Sequence, residues 1–284
     1  MENAKWIALL LGVTAIWGTT FPLMKDLLGS MDTFALLSVR FSIAAVLYAV
    51  YLFGFKKQKI TADEIRAGSI LGIALFFSYG TQTLGLNYTS ATNSAFITGL
   101  FVILIPLLSA IILRKVPERK AVAAVIVGLA GLALLTNFQG KLNLGDAITL
   151  LTALGFALHI ILTVKYAKKA SISSLILVQI AVTALLSFAV MFATAKAPPA
   201  ISMPTIASLL FLAVFATVIA NLVQTSALAA MDPTKVGLIL ITEPIFAALF
   251  SFIILHETLA LSQGIGAILI FAGMFIAESN KIKS

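Results

Sequence analysis

Long apolar runs separated by short polar breaks constrain this chain more than any motif in it. They lie at 6–24, 33–53, 66–86, 93–113, 119–137, 144–164, 173–194, 204–228, 235–255 and 260–278. About 20 residues of α-helix rise roughly 30 Å, the thickness of a bilayer's hydrocarbon core. A segment in lipid must satisfy its own backbone, so continuous runs of this length mean helices. An outer-membrane barrel would show short alternating segments instead. Hydrophobic residues make up 61% and charged residues 11%, against about half and a quarter in a soluble domain. Ten spans nearly exhaust the 284 residues, so the expectation is an all-α polytopic membrane protein in a lipid bilayer. The breaks carry turn and interface signals: Gly29-Ser30, Met31-Asp32, Lys56-Lys57-Gln58-Lys59, Arg114-Lys115 with Pro117, Gly140, Lys168-Lys169, Pro198-Pro199 and Asp232-Pro233. The first run is too long for a signal-peptide core and is followed by no small-residue cleavage site, so it is expected to be a retained helix.

A net charge of +8 would suggest a nucleic-acid partner in a soluble chain. Here the basic residues sit in short loops and act as topology signals, and no nucleic-acid partner is expected. With a cytoplasmic N-terminus, 15 lysines and arginines fall on the inside; only Lys25, Lys141 and Lys196 fall outside. That bias predicts an even number of spans with both termini in the cytoplasm. The loop holding Lys235 alone contributes least to it. The chain has no cysteine, which excludes disulfides and cysteine metal sites and leaves the redox compartment open.

The chain also repeats itself at an offset of 142 residues. Gln82-Thr83 aligns with Gln224-Thr225, Thr92 with Thr234, Ile97 with Ile239, Ser109 with Ser251, Ile111-Ile112-Leu113 with Ile253-Ile254-Leu255, and Gly131 with Gly273. The earlier spans match more loosely, through Val39-Arg40 and Val178-Gln179. Residues 1–140 and 141–284 then form two five-helix repeats. Five is odd, so the second repeat must be inverted in the membrane, an architecture that recurs in transporters with a midplane site.

Ten spans, the five-plus-five repeat, Trp17-Gly18 followed by Phe21-Pro22 in the first span, and Glu243-Pro244 in the ninth resemble the EamA-like family of the drug/metabolite transporter superfamily. The resemblance covers essentially the whole chain. It implies export of small polar metabolites, often amino acids or related compounds, across a bacterial or archaeal inner membrane. It also implies a central cavity lined by spans one to four and six to nine, with five and ten peripheral. The family often carries Gly-Glu after the ninth span. This chain has His256-Glu257 there, and Arg114-Lys115 with Glu118 nearby at the matching place in the first repeat. Glu257 is therefore expected to cap or tether a helix end.

Glu243 is the one charged residue inside the ninth apolar run and stands close to its centre. A carboxyl group at that depth costs about 3 kcal/mol on insertion scales and marks a functional site by default. It reads as a proton-coupling site or an anchor for a substrate ammonium; the alternative is a structural glutamic acid bonded to a carbonyl freed by Pro244. Arg40 is the only basic residue well inside a span. It suits a substrate carboxylate, a structural pair with Glu243, or snorkelling to headgroups. Trp17, with Thr19, Thr20 and Pro22, is read as cavity lining or as packing. Gln82, Asn87, Tyr88, Asn93 and Ser94, and on the other side Asn221, Gln224 and Thr225, are read as the two mouths of a pathway or as interfacial residues. His159 is read as a proton relay or an interhelical hydrogen bond. Pro22, Pro106 and Pro244 are expected kinks. Small residues four apart, Gly68 with Gly72, Ala124 with Gly128 and Ala260 with Gly264, predict close helix packing. Packing within a monomer comes first; a weak homodimer through spans five and ten is the alternative.

No phosphate loop, zinc spacing or nucleophile elbow occurs, so no enzyme, metal or cofactor is expected, and ATP-driven transport by this chain alone is not. The sequence points to a secondary transporter of a small-molecule substrate working by alternating access, proton-coupled or facilitative. The rival readings are a multidrug efflux pump for lipophilic cations, a membrane-embedded enzyme and a channel.

Overall fold

A computed structural model describes residues 2–135, 143–194, 202–255 and 260–278. Thirteen α-helices follow one another: α1 (Glu2–Leu27), α2 (Thr33–Ala49), α3 (Ala62–Leu86), α4 (Ala91–Gly99), α5 (Phe101–Leu108), α6 (Arg119–Leu135), α7 (Leu144–Ala167), α8 (Ile172–Ala193), α9 (Met203–Ala213), α10 (Ala220–Ala230), α11 (Pro233–Leu240), α12 (Glu243–Leu255) and α13 (Leu261–Glu278). Single π-helical turns continue α2 (Val50–Phe55), continue α5 (Ser109–Leu113) and join α9 to α10 (Val214–Ile219). No strand occurs among the described residues. Eight of the helical rods are long and apolar enough to cross a membrane. The breaks at Gly140 and Pro198-Pro199, the loop cations Lys141, Lys196, Lys281 and Lys283, and His256-Glu257 lie outside the described residues.

The helix starts are set by local chemistry. Asp32, Ser90, Ser202 and Asp232 each accept a hydrogen bond from a backbone N–H of the first turn that has no intrahelical acceptor. Thr61 with Glu64, and Asn143 with Asp146, close reciprocal capping boxes on α3 and α7.

Three of the expected spans are interrupted. The run at 93–113 breaks between α4 and α5 at Leu100, whose N–H reaches back three residues to Ile97. The run at 235–255 breaks at Ile241–Thr242 into α11 and α12, and Thr242 N–H likewise reaches back three residues, to Ile239. Pro244 was expected to bend this helix at its own position. Proline lacks an N–H and clashes with the carbonyl four residues earlier, here Leu240, so the chain parts upstream of it. Pro22, by contrast, sits inside a continuous α1, and Pro106 sits within α5, six residues past the break. The run at 204–228 is divided by its π-helical turn, which no proline announces.

α6 and α13, 17 and 18 residues long, pack along one another. A Cβ on Gly131 would come within 2.6 Å of Gly266 O, and one on Gly273 within 2.8 Å of Ala124 O. Gly68 and Gly72 admit Val178 and Val182 of α8 in the same way, whereas Gly264 faces open space. Two large apolar clusters and a smaller one around Leu71 and Leu175 fill the interior of the described residues. Of the large two, one is built around Phe101, Ile105, Ile160 and Leu238, the other around Phe21, Phe41, Leu75 and Ile180. Trp17 and Phe156 pack against both.

Candidate functional site

A cavity opens where those two clusters meet. Its walls are Trp17 and Thr20 from α1, Leu75, Tyr79 and Gln82 from α3, Thr98 from α4, Phe101 from α5, Phe156 and Ile160 from α7, Asn221 and Gln224 from α10, Leu240 from α11 and Glu243 from α12. The space among them, its opening included, is about 470 Å³. No lining residue comes from α2, α8 or the α6–α13 pair. The expected lining by spans one to four and six to nine is corrected in this respect: the second and seventh rods stand behind the wall.

Glu243 is the only charged residue of the lining. It opens the first turn of α12, directly after the break, and its carboxylate has no hydrogen-bond or ion-pair partner among the described residues. The break itself is pinned to α1. Thr242 Oγ1 lies 2.9 Å from Thr14 Oγ1 and 2.8 Å from the Ile239 carbonyl. Gly18 lets the backbone of α12 come so near that a Cβ there would sit 2.8 Å from Ala247 N.

The polar wall is largely tied down. Gln82 Nε2 donates to Thr98 Oγ1 at 3.2 Å, and Asn221 Nδ2 to the Thr217 carbonyl at 2.8 Å. Gln224, buried beside them, has no hydrogen-bond partner among the described residues. The Trp17 indole Nε1 donates to the Ala216 carbonyl at 2.9 Å. That carbonyl belongs to the π-helical turn, where the regular ladder is interrupted and acceptors become available to side chains. Thr19 and Thr20 bond back to the carbonyls of Ile16 and Trp17, at 2.6 and 2.7 Å.

Of the residues singled out in the sequence, Trp17, Thr20, Gln82, Asn221, Gln224 and Glu243 meet in this cavity, and Arg40, Asn87, Tyr88, Asn93 and His159 lie elsewhere. Arg40 is fully buried, so it does not snorkel. It forms no ion pair with Glu243; its Nε donates to Thr217 Oγ1 at 2.9 Å. His159 is also fully buried, with Nε2 2.8 Å from Gln179 Oε1, an interhelical bond that leaves it outside the lining. Asn87 and Tyr88 border a separate surface pocket with Asp32 and Thr33, where Asn87 Nδ2 donates to Thr33 Oγ1 at 2.9 Å and Tyr88 is 58% exposed. Asn93 sits in the first turn of α4, its N–H bonded to Ser90 Oγ.

Tyr79, Phe101 and Phe156 went unread in the sequence, because an aromatic residue in an apolar run offers no contrast of polarity. The repeat held the signal. Tyr79 stands 142 residues before Asn221, Thr98 before Leu240, and Phe101 before Glu243.

Known proteins resemble this chain along its whole length. A protein of Archaeoglobus fulgidus named an uncharacterized transporter is 35% identical over 268 residues, 94% of this chain and 83% of its own. One of Bacillus subtilis, named uncharacterized transporter YyaM, is 25% identical over 98% of this chain and 95% of its own. A solved crystal structure superposes with a TM-score of 0.81 over 97% of this chain and 98% of that one, at 17% identity, which shows a shared fold. The model of one family matches twice, at residues 4–137 and again at 143–278, and the chain therefore belongs to the EamA-like transporter family.

Proposed function

We propose that this protein is a secondary transporter that exports a small polar or zwitterionic metabolite, an amino acid or related compound, by alternating access across the inner membrane. The observation that carries the reading is Glu243: a carboxylate without a partner, at the break of a membrane rod, facing a central cavity. Interrupted spans with an ionisable group at the break recur at transport sites near the bilayer midplane.

In this reading α6 and α13 also span, giving ten rods in two inverted halves, 1–140 and 141–284, with both termini cytoplasmic. Three observations support the halves. The family model matches each of them. Tyr79 and Asn221, Gln82 and Gln224, Thr98 and Leu240, and Phe101 and Glu243 are four pairs at the 142-residue offset, and all eight residues line one cavity. Gly131 packs on Gly266 and Ile270 while Gly273 packs on Ala124 and Gly128, the same contacts exchanged at the same offset. The outward faces of α6 and α13 carry exposed Val122, Ile126, Ile268 and Phe275, which suits lipid around a monomer or a weak homodimer.

Glu243 is the proton-coupling candidate, since it can carry a proton when the cavity is empty of cationic substrate. The test is metabolite profiling of medium from cells expressing wild type beside cells expressing Glu243→Gln at matched membrane levels. At least a tenfold loss of one exported amino-acid-like compound in the variant supports the reading. Equal export by both strains removes Glu243 from transport. The second reading, efflux of lipophilic cations, draws on the Trp17, Phe101 and Phe156 rings beside the carboxylate. Drug-resistance profiling of the same strains separates the two.

A further inference from the structure

Tyr79 is the lining residue that meets the buried cation. Behind it the Arg40 guanidinium carbon stands 4.8 Å from the ring centroid. Arg40 itself is excluded from the lining and has no acidic partner among the described residues. Its other neighbours are Thr217 Oγ1, Met24 Sδ at 3.3 Å and the Ala216 carbonyl at 3.5 Å. The guanidinium also lies over the ring of Phe41, its carbon 5.4 Å from that centroid, so its charge is held against two aromatic faces. A cation held against a phenol ring draws charge from it and makes its hydroxyl a stronger donor, the more so in a low-dielectric interior. Glu243 lines the same cavity as Tyr79. The cavity thus has an unpartnered carboxylate on one wall and a cation-backed donor on another. The amides of Gln82 and Asn221 each already give one hydrogen to a bond, and among the lining residues Tyr79 is the one with a cation against its ring.

We propose that the Tyr79 hydroxyl receives the carboxylate of an amino-acid-like substrate while Glu243 takes its ammonium, with Arg40 as the positioning residue that aims and polarises Tyr79. The assignment rests on the transport reading above and makes Tyr79 the residue that separates amino acids from simple amines.

The test measures binding to purified full-length protein of L-leucine against 3-methylbutylamine and of L-phenylalanine against phenethylamine, each pair differing by one carboxyl group. In the wild type at least one amino acid binds tenfold or more tighter than its amine. Tyr79→Phe, which keeps the ring, erases that preference and leaves the amine's affinity within twofold; Arg40→Gln has the same selective effect, and Arg40→Lys restores part of it. Equal weakening of acid and amine in Tyr79→Phe would mean a structural role and overturn the assignment, as would an amino acid bound as well by Tyr79→Phe as by wild type. A wild type that prefers the amines overturns it too and favours the lipophilic-cation reading. Failure of all four compounds to bind wild type takes down the transport reading for such substrates together with this one.

Discussion

Trp17 fastens the cavity wall to a turn of helix through a single bond. Its Nε1–H satisfies the Ala216 carbonyl, and a buried acceptor that loses its donor costs about 1–2 kcal/mol. Trp17→Phe keeps most of the ring area and removes the donor. It is expected to lower stability by about 1–2 kcal/mol, read as a thermal or denaturant shift of the purified protein in micelles. At this scale the sequence was legible wherever polarity stood out against an apolar run: Glu243, Gln82, Asn221 and Gln224 were all found that way. It was illegible for direction. Arg40 was expected to reach substrate, Glu243 or headgroups, and it turns instead to Thr217 and Met24 behind the wall, because the span alone does not say which face of α2 meets α9 and α3.

Helix ends and interruptions belong to the next scale. Run length announced the rods, and the caps at Asp32 and Asp232 fall where the polar breaks were read. The interruptions were harder. Pro244 gave notice of one, but its steric effect falls four residues upstream, and the π-helical turn at Val214–Ile219 contains no breaker at all; it is sustained by tertiary bonds from Trp17 and Arg40. Glycine spacing also needs the partner helix to be interpreted. Gly131 lies against backbone of α13, so Gly131→Leu must push two helices apart and is expected to cost at least about 2 kcal/mol. Gly264 faces open space, and Gly264→Ala is expected to be neutral or slightly stabilising, since alanine holds a helix better than glycine by about 1 kcal/mol. Parallel unfolding measurements on the two variants check the contrast; equal effects would mean that α6 and α13 do not pack in this register.

Across the whole molecule, one cavity draws residues from six rods and leaves the α6–α13 pair at the margin. The double match to one family model and the exchanged glycine contacts make sense of that distribution if the halves are related by inversion, because each half then supplies equivalent walls. The sequence conveyed this level through its repeat more than through any single residue, while Tyr79 and Phe101 stayed hidden as aromatic residues within apolar runs.

The proposed alternating access around this cavity can be measured directly, because the chain has no native cysteine. Thr98→Cys places one thiol in the wall. Membrane-impermeant thiol reagent is applied to right-side-out and to inside-out vesicles, with and without the exported compound. The account predicts labelling from both faces, with the compound slowing each. Labelling from one face alone under every condition would contradict it.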